Sequence, residues 1–595
     1  MKKVNLTINN KKVTVNEGMT ILEAAKENNI LIPSLCYLKD VHSIGSCRIC
    51  VVEVEGFKNL VASCITKVKD GMVVRTNTKR VKDAVKIVYE LLISDHPKYC
   101  LNCTRNQNCE LQKLGEIIQA DESKFDGERS RNFVDSSSPS IIRDASKCIA
   151  CRRCVTVCNE VQGVGILNVQ NRGFRSVIAP AAEQPFSDVN CSYCGQCTLV
   201  CPVDAIKEKD YTKEVWHALY DKKKRVIVQT APAIRAALGE EFGYEPGTLV
   251  TGKMVTALKE MGFDDVFDTN FAADLTIIEE GNEFLERVIA KFKDGKNSVL
   301  PMITSCSPGW IKFIEHEFSD YLSHLSSCKS PHMMLGALIK TYYAKKIGVK
   351  PEDIFVVSIM PCTAKKFEIT RPEMRSSGVQ DVDAVLTTRE LARMIKEAGI
   401  NFKKLSDSKF DSPLGYSTGA ADIFGVTGGV MEAALRTVYE IVTGRELPFK
   451  NLHVKPIVGF DRIKEAEIEI NNPKEEYSFL EGIKIKIAVT SGLMGARMLM
   501  EEIASGKSPY HFIEVMGCPG GCISGGGQPR PTNDEVRIKR LKAIYKEDEG
   551  KPERKSHENP YIIKLYEEFL GKPLGHKSHE LLHTHYTKRS KYRYI

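Results

Sequence analysis

Two runs of cysteine carry the strongest chemical signal in this chain. CIACRRCVTVC places Cys148, Cys151, Cys154 and Cys158, and CSYCGQCTLVCP places Cys191, Cys194, Cys197 and Cys201. Both read Cys-x2-Cys-x2-Cys-x3-Cys, the spacing at which four thiolates hold a cubane of iron and sulfide. In paired runs the fourth cysteine serves the other cluster, so Cys201 is expected with the Cys148 set and Cys158 with the Cys191 set. Pro202 follows the second run, while Asn159 stands at the matching place in the first. Upstream, LCYLKDVHSIGSCRICVVEVEGFKNLVASC supplies Cys36, Cys47, Cys50 and Cys64. Four thiolates there suit a [2Fe–2S] cluster, with the close pair Cys47/Cys50 gripping one iron. HPKYCLNCTRNQNCELQ supplies His96, Cys100, Cys103 and Cys109. Neutral imidazole in place of one thiolate would raise the potential of a [4Fe–4S] cluster; zinc accepts the same donor set. Together these sets take 15 of the 20 cysteines and one histidine. Four clusters in series read as a wire, with redox chemistry at its end.

The elements that must position these residues are partly legible. At 595 residues, with 42% hydrophobic content and a net charge of +8, the chain has room for two to five domains. No dense Lys/Arg block points to nucleic acid. The N-terminus MKKVNLTINN lacks a signal-peptide core, and no run is apolar enough to span a membrane. A cytoplasmic location is expected, where cysteines serve as metal thiolates rather than disulfides. Val4, Leu6 and Ile8 alternate, Asn9-Asn10 turns the chain, and Val13 and Val15 alternate again, which predicts a hairpin. Thr20 and Glu23 form a capping box for a helix through TILEAAKENN. From about residue 210, apolar β-rich runs alternate with helical segments such as IRAALGEEFG and TRELARMIKEAG, an α/β pattern. Cys306, Cys328, Cys362, Cys518 and Cys522 remain. All but Cys328 follow strand-like runs, and sites in α/β sheets collect at the carboxyl ends of strands.

TSCSPGW (304–310), MPCTAKKFE (360–368) and EVMGCPGGCISGGGQP (514–529) resemble the three signature motifs of [FeFe] hydrogenases. The N-terminal cysteine sets resemble those at the front of the same enzymes and of the large iron–sulfur subunit of respiratory NADH dehydrogenase. The resemblance covers nearly the whole chain. It implies a multidomain α+β and α/β protein: a β-grasp [2Fe–2S] ferredoxin domain (1–79), a His/Cys3 [4Fe–4S] domain (80–120), a bacterial-type two-cluster ferredoxin domain (138–212), a large α/β H-cluster domain (222–535) and a C-terminal tail packed on it (536–595). It further implies an H-cluster, a [4Fe–4S] unit joined through one cysteine to a diiron unit bearing CO, cyanide and a bridging dithiolate. By matching positions Cys362, Cys518 and Cys522 ligate the cubane, with Cys522 bridging. Lys365 donates to a cyanide, and Met360, Met516 and Pro232 lie beside the diiron unit. Cys306, Glu280, Ser326 and Glu283 carry protons. The glycines of PGGC and GGG allow close backbone approach to the metals; a phosphate cradle would need a Gly-Lys-Ser/Thr ending that is missing here.

Reversible interconversion of protons, electrons and H2 in anaerobic hydrogen metabolism is the activity the resemblance implies. Proton reduction at pH 7 lies near about −410 mV, from roughly 59 mV per pH unit, and plant-type ferredoxins lie near about −400 mV, so ferredoxin is a matched partner. Maturation proteins for the diiron unit are implied as well. The CSP form of the first motif is similar to catalytic subunits of NAD(P)-linked, electron-bifurcating hydrogenases. No G-x-G-x-x-G opens a helix after a strand, which would put flavin and NAD(P) on partner subunits.

One residue departs from the family pattern. Ser307 stands where the family has a second cysteine, the remaining cubane ligand. Three sources of that ligand are open: Ser307 through its oxygen, Cys306 turned inward, or Cys328. The departure keeps alive an alternative, an iron–sulfur sensor or scaffold without hydrogen turnover. The tail carries His557, His576, His579, His583 and His585. With no local cysteine or acidic ring to complete a metal site, it is expected simply to dock.

Overall fold

The computed structural model describes residues 2–447 and 462–590. At the N-terminus, strands Lys3–Ile8 and Lys11–Asn16 pair antiparallel. Asn9 and Asn10 join them with φ of 50° and 68°, the two left-handed residues of a tight hairpin turn that asparagine tolerates. Val4, Leu6, Ile8, Val13 and Val15 are all buried on one face. The hairpin opens a five-stranded mixed sheet. Helix Ile21–Glu27 packs on it, started by a reciprocal capping box between Thr20 and Glu23 that satisfies two otherwise orphaned N–H groups.

Helices Lys79–Ser94 and Glu110–Ile118 flank the segment that carries His96 and its cysteines. The two long cysteine runs each lead into a short helix, Arg153–Thr156 and Gln196–Val200, beside a small sheet of strands Ile206–Glu208, Ile141–Asp144 and Val134–Asp135.

The remainder is built on two four-stranded sheets. In the first, strands Asp265–Asp268, Arg225–Thr230, Ile354–Met360 and Ala384–Thr387 are all parallel. In the second, Met302–Ile303, Phe512–Met516 and Lys484–Ser491 run parallel, and Ile463–Glu469 closes the edge antiparallel. Ile354–Met360 is a near-continuous apolar run because both of its faces are covered, and every residue of Phe512–Met516 is buried. Helix Thr388–Glu397 forms in TRELARMIKEAG as the periodicity predicts, with a Thr387/Glu390 capping box. IRAALGEEFG instead breaks into short 3-10 turns, Pro232–Ile234 and Leu238–Phe242. Arg235 within it is fully buried, paired to Asp268 at 2.8 Å and Asp422 at 3.1 Å, so tertiary ion pairing overrides local helix preference. Among the described residues, no helix is long and apolar enough to cross a membrane.

The C-terminal segment lies against the long helix Asn270–Phe292. Tyr566 and His583 both reach Glu279 of that helix.

Candidate active site and its electron and proton connections

The carboxyl ends of parallel strands from both sheets open onto one cavity. Strand Arg225–Thr230 ends at Ala231 and Pro232, Met302–Ile303 leads to Cys306 and Ser307, Ile354–Met360 to Cys362, and Phe512–Met516 to Cys518 and Cys522. All of these line the cavity, with Met360, Met516, Lys365 and Phe424. Separate strand ends meet because each strand's next residues leave the sheet at the same edge.

The cavity suits a cluster. Cys518 is buried and Cys362 and Cys522 are half-buried, and desolvation pushes the Cys362 thiol up, the Cys522 thiol to about 12 and the Cys518 thiol well above its ordinary value. Thiols so placed form thiolates only against a cation such as iron. Lys365 Nζ donates to Cys306 O at 3.1 Å and to Glu368 Oε2 at 2.8 Å. Glu368 is also held by His332 Nε2 at 2.7 Å. Reading the sequence missed both residues. Glu368 was findable, three residues after Lys365 inside the quoted motif; His332 sits 36 positions from Glu368 and has no local signal.

Ser307 lies on the cavity wall. It precedes helix Pro308–Glu317 without capping it; its Oγ instead accepts the Gly517 N–H at 3.3 Å, next to Cys518. Cys328 is fully buried elsewhere, lining a smaller cavity with Glu368, Arg371 and Tyr586.

A polar chain runs along helix Asn270–Phe292. Cys306 is half-buried beside the Glu280 carboxyl, and desolvation, reinforced by that carboxyl, pushes its thiol well up. Glu280 faces Ser326 and the Ser305 backbone, and its Oε1 has no partner. Ser326 Oγ donates to Glu283 Oε2 at 3.0 Å, and Arg287 Nη2 reaches Glu283 Oε1 at 2.7 Å. Burial first, then the neighbouring Glu283, raise Glu280 to about 8.

The sign of that shift gives a test. A carboxyl whose folded pKa is raised keeps its full stability below its unfolded value, near about 4.3, and loses it as pH rises toward about 8. Glu280→Gln is therefore expected to be more stable than the parent chain at pH 8 and equal to it near pH 4.5, measured by denaturant unfolding at both. A difference that does not change with pH would contradict this account of Glu280.

Upstream, Cys36, Cys47, Cys50 and Cys64 cluster within thiol hydrogen-bonding contact. His96 is buried, with Nδ1 held by Pro97 O at 2.9 Å and Nε2 unpartnered. That is the tautomer and the free nitrogen a metal takes. Cys148, Cys151, Cys154 and Cys201 line one cavity, and Cys158, Cys191, Cys194 and Cys197 another, so each run's fourth cysteine joins the other run.

Connection is forked rather than serial. His42 Nε2, in the loop between Cys36 and Cys47, meets Cys151 O at 3.0 Å. Glu110 N, next to Cys109, donates to Pro202 O at 3.1 Å, beside Cys201. Both upstream sets thus abut the same cysteine cavity. The second cavity abuts the active-site loop: Thr198 Oγ1 donates to Gly526 O at 2.8 Å, and Gln196 Nε2 to Ser524 O at 2.9 Å. A side chain on Gly526 would place its Cβ 2.6 Å from Cys194 O. Here glycine serves backbone-to-backbone approach between two cysteine loops.

Residues 224–526 match the family model of the iron only hydrogenase large subunit, C-terminal domain, and 534–589 that of the iron hydrogenase small subunit. Residues 1–79 match a 2Fe-2S iron-sulfur cluster binding domain, 86–124 the NADH-ubiquinone oxidoreductase-G iron-sulfur binding region, and 147–205 a 4Fe-4S dicluster domain. The chain is 53% identical to the NADP-reducing hydrogenase subunit HndD of Solidesulfovibrio fructosivorans, over 99% of this chain and all of that one. It is 42% identical to iron hydrogenase 1 of Clostridium pasteurianum, over 98% and 100%. A solved variant of the [FeFe]-hydrogenase HydA1 from Chlamydomonas reinhardtii aligns with a TM-score of 0.58 at 42% identity, covering 64% of this chain and 99% of that one. The cavity at the strand ends, the cysteine sets before it and these matches agree: this chain belongs to the [FeFe] hydrogenases, enzymes that interconvert protons, electrons and H2, and it carries iron–sulfur domains ahead of its H-cluster domain.

Proposed function

We propose that Cys362, Cys518 and Cys522 would hold the H-cluster through their thiolates, Cys522 being the one shared with its diiron part, and that Cys306, Glu280, Ser326 and Glu283 pass protons between this site and solvent. The bound group supplies the redox chemistry of the proton–hydrogen couple. The chain's own residues orient it and handle the protons. A neutral Cys306 thiol gives a proton and retakes it; Glu280, protonated up to about pH 8, refills it. The Ser326 hydroxyl relays by accepting from one glutamate while donating to the other. Lys365 is the fixed cation against an anionic ligand, and Pro232, Met360 and Met516 supply walls that cannot donate protons. The observation that carries this reading is the shared cavity that brings Cys306, Lys365, Cys362, Cys518 and Cys522 together. Infrared spectra of the fully matured chain are expected to show CO and cyanide bands; their absence would reject it. A sensor or scaffold would have no need of Cys306 and Lys365 on the same wall.

For the fourth cubane ligand, the position of Ser307 on the cavity wall favours its oxygen over the Cys328 thiol. Ser307→Ala is expected to remove or strongly shift the cubane EPR signal, and an unchanged signal would sink ligation by Ser307.

Upstream we assign one [2Fe–2S] cluster to Cys36, Cys47, Cys50 and Cys64, and three [4Fe–4S] clusters to the remaining sets, one of them with His96 Nε2 as ligand. The fork gives electrons two entries. Ferredoxin suits one by potential, and the similarity to a subunit of an NADP-reducing hydrogenase of Solidesulfovibrio supports a flavin- and NADP-binding partner subunit at the other. Identifying what copurifies with the native protein tests this.

A further inference from the structure

His583 lies in a tail whose own sequence offers no cysteine to complete a metal site. The fold supplies one from 255 positions away: Cys328 and His583 form an isolated β-bridge. The Thr584 N–H donates to Ser327 O at 2.8 Å, and the Lys329 N–H to Leu582 O at 2.8 Å, so two backbone hydrogen bonds hold the segments in register. One ligand atom each from Glu283, Cys328 and His583 then lie within 4.8 Å of one another. A thiol, an imidazole and a carboxylate are the donors zinc takes, with three protein ligands and one open position.

The imidazole is oriented for it. His583 Nε2 meets Glu279 Oε2 at 3.1 Å, and Glu279 is itself fixed by Tyr566 and by the Leu574 N–H at 2.9 Å. A carboxylate behind a histidine in this way sets the tautomer and sharpens the other nitrogen as a ligand. That other nitrogen, Nδ1, faces Ser327 Oγ at 2.8 Å, and Ser327 Oγ is 3.1 Å from Glu283 Oε2. Arg287 occupies the opposite oxygen, Oε1; Oε2 accepts only from neutral donors, Ser326 Oγ, Ser327 Oγ and the Ser327 N–H at 3.0 Å, with which a cation would compete.

We infer that Glu283, Cys328 and His583 form a binding site for a soft divalent cation of the zinc class, which caps the outer end of the proton path. The cap rests on the proton path proposed above; the site itself does not. Zinc–ligand bonds of about 2.0–2.3 Å require the three donors to close in by about an ångström. The thiol proton leaves to solvent as zinc binds, and Ser327 Oγ yields its place between His583 and Glu283. With Oε2 on the metal, Glu283 no longer accepts from Ser326, and the relay is interrupted at its solvent end.

Zinc chloride added to the matured full chain, followed by desalting and metal analysis, tests the site; H2 evolution from a reduced dye on the same samples tests the cap. The parent chain is expected to retain one zinc more than Cys328→Ala or His583→Gln, and to slow by at least about tenfold. In either variant the half-inhibiting zinc concentration is expected to rise at least about tenfold, with iron–sulfur EPR signals unchanged. Equal zinc retention in all three overturns the site. Retention by the parent alone without slowing leaves the site standing and overturns both the cap and a proton path through Glu283.

Discussion

Cys306→Ala is expected to lower H2 evolution and H2 oxidation by about 10²- to 10⁴-fold, the range in which a positioned proton donor contributes. The infrared bands of the diiron unit should persist. Both halves follow from where Cys306 sits. It lines the cavity that holds Cys362 and Cys522, so its proton can reach the reacting group. Burial, with Glu280 close by, keeps the thiol neutral far above ordinary pH, so the proton is there to give. Alanine removes the donor without adding bulk or charge, and the Glu280 carboxyl behind it is left without a carrier. Matched iron content, matched infrared bands and single-turnover proton uptake check the prediction. Turnover within about threefold of the parent would remove Cys306 from the path. Cluster bands lost together with activity would show Cys306 to be a ligand, returning Ser307 to an ordinary hydroxyl.

Lys365→Met is expected to damage the site and the fold together. Lys365, Glu368 and His332 form a buried triad, with Glu368 accepting from both partners. Although burial opposes it, Lys365 first and then His332 hold the Glu368 carboxyl well below the usual carboxylate range. Burial and the Lys365 charge push His332 down to about 4. Removing the lysine leaves a buried carboxylate short of its cation, a loss of about 3–5 kcal/mol, and strips the cavity of the charge that faces an anionic ligand. The pH dependence should also change. In the parent chain His332 contributes stability above its unfolded pKa of about 6.5, which is lost as pH falls through about 4. Without Lys365, His332 can charge against Glu368 at higher pH, so that acid-side loss should shrink. Unfolding of the matured chains at pH 7.5 and pH 5 measures this: the deficit of the variant should be larger at pH 7.5. Iron content and infrared bands report the cavity, where weakened retention of the diiron unit is expected. An equal deficit at both pH values would refute the triad account.

Features that depend on short reach along the chain could be read directly from residue types and spacing. Three thiolates within seven residues can grip one cluster from a single loop, with only the fourth coming from the other run, which is why both Cys-x2-Cys-x2-Cys-x3-Cys runs were legible. The N-terminal hairpin was legible for the same reason: Asn9-Asn10 and the alternation around it set the strand pairing over a few residues. Capping boxes at Thr20 and Thr387 are local too. IRAALGEEFG misled because the buried Arg235 finds its carboxylates 33 and 187 positions away. The fork in the electron path, the Ser307–Gly517 contact, the His332–Glu368–Lys365 triad and the pairing of Cys328 with His583 belong to tertiary structure alone. Each needs segments tens to hundreds of residues apart, brought together as strand ends meet at one edge and the tail docks on helix Asn270–Phe292. Burial then does what composition cannot: it raises Glu280, lowers His332 and keeps Cys306 protonated. Residue type names the groups that can carry a proton, and the low dielectric of the folded interior decides which of them hold one.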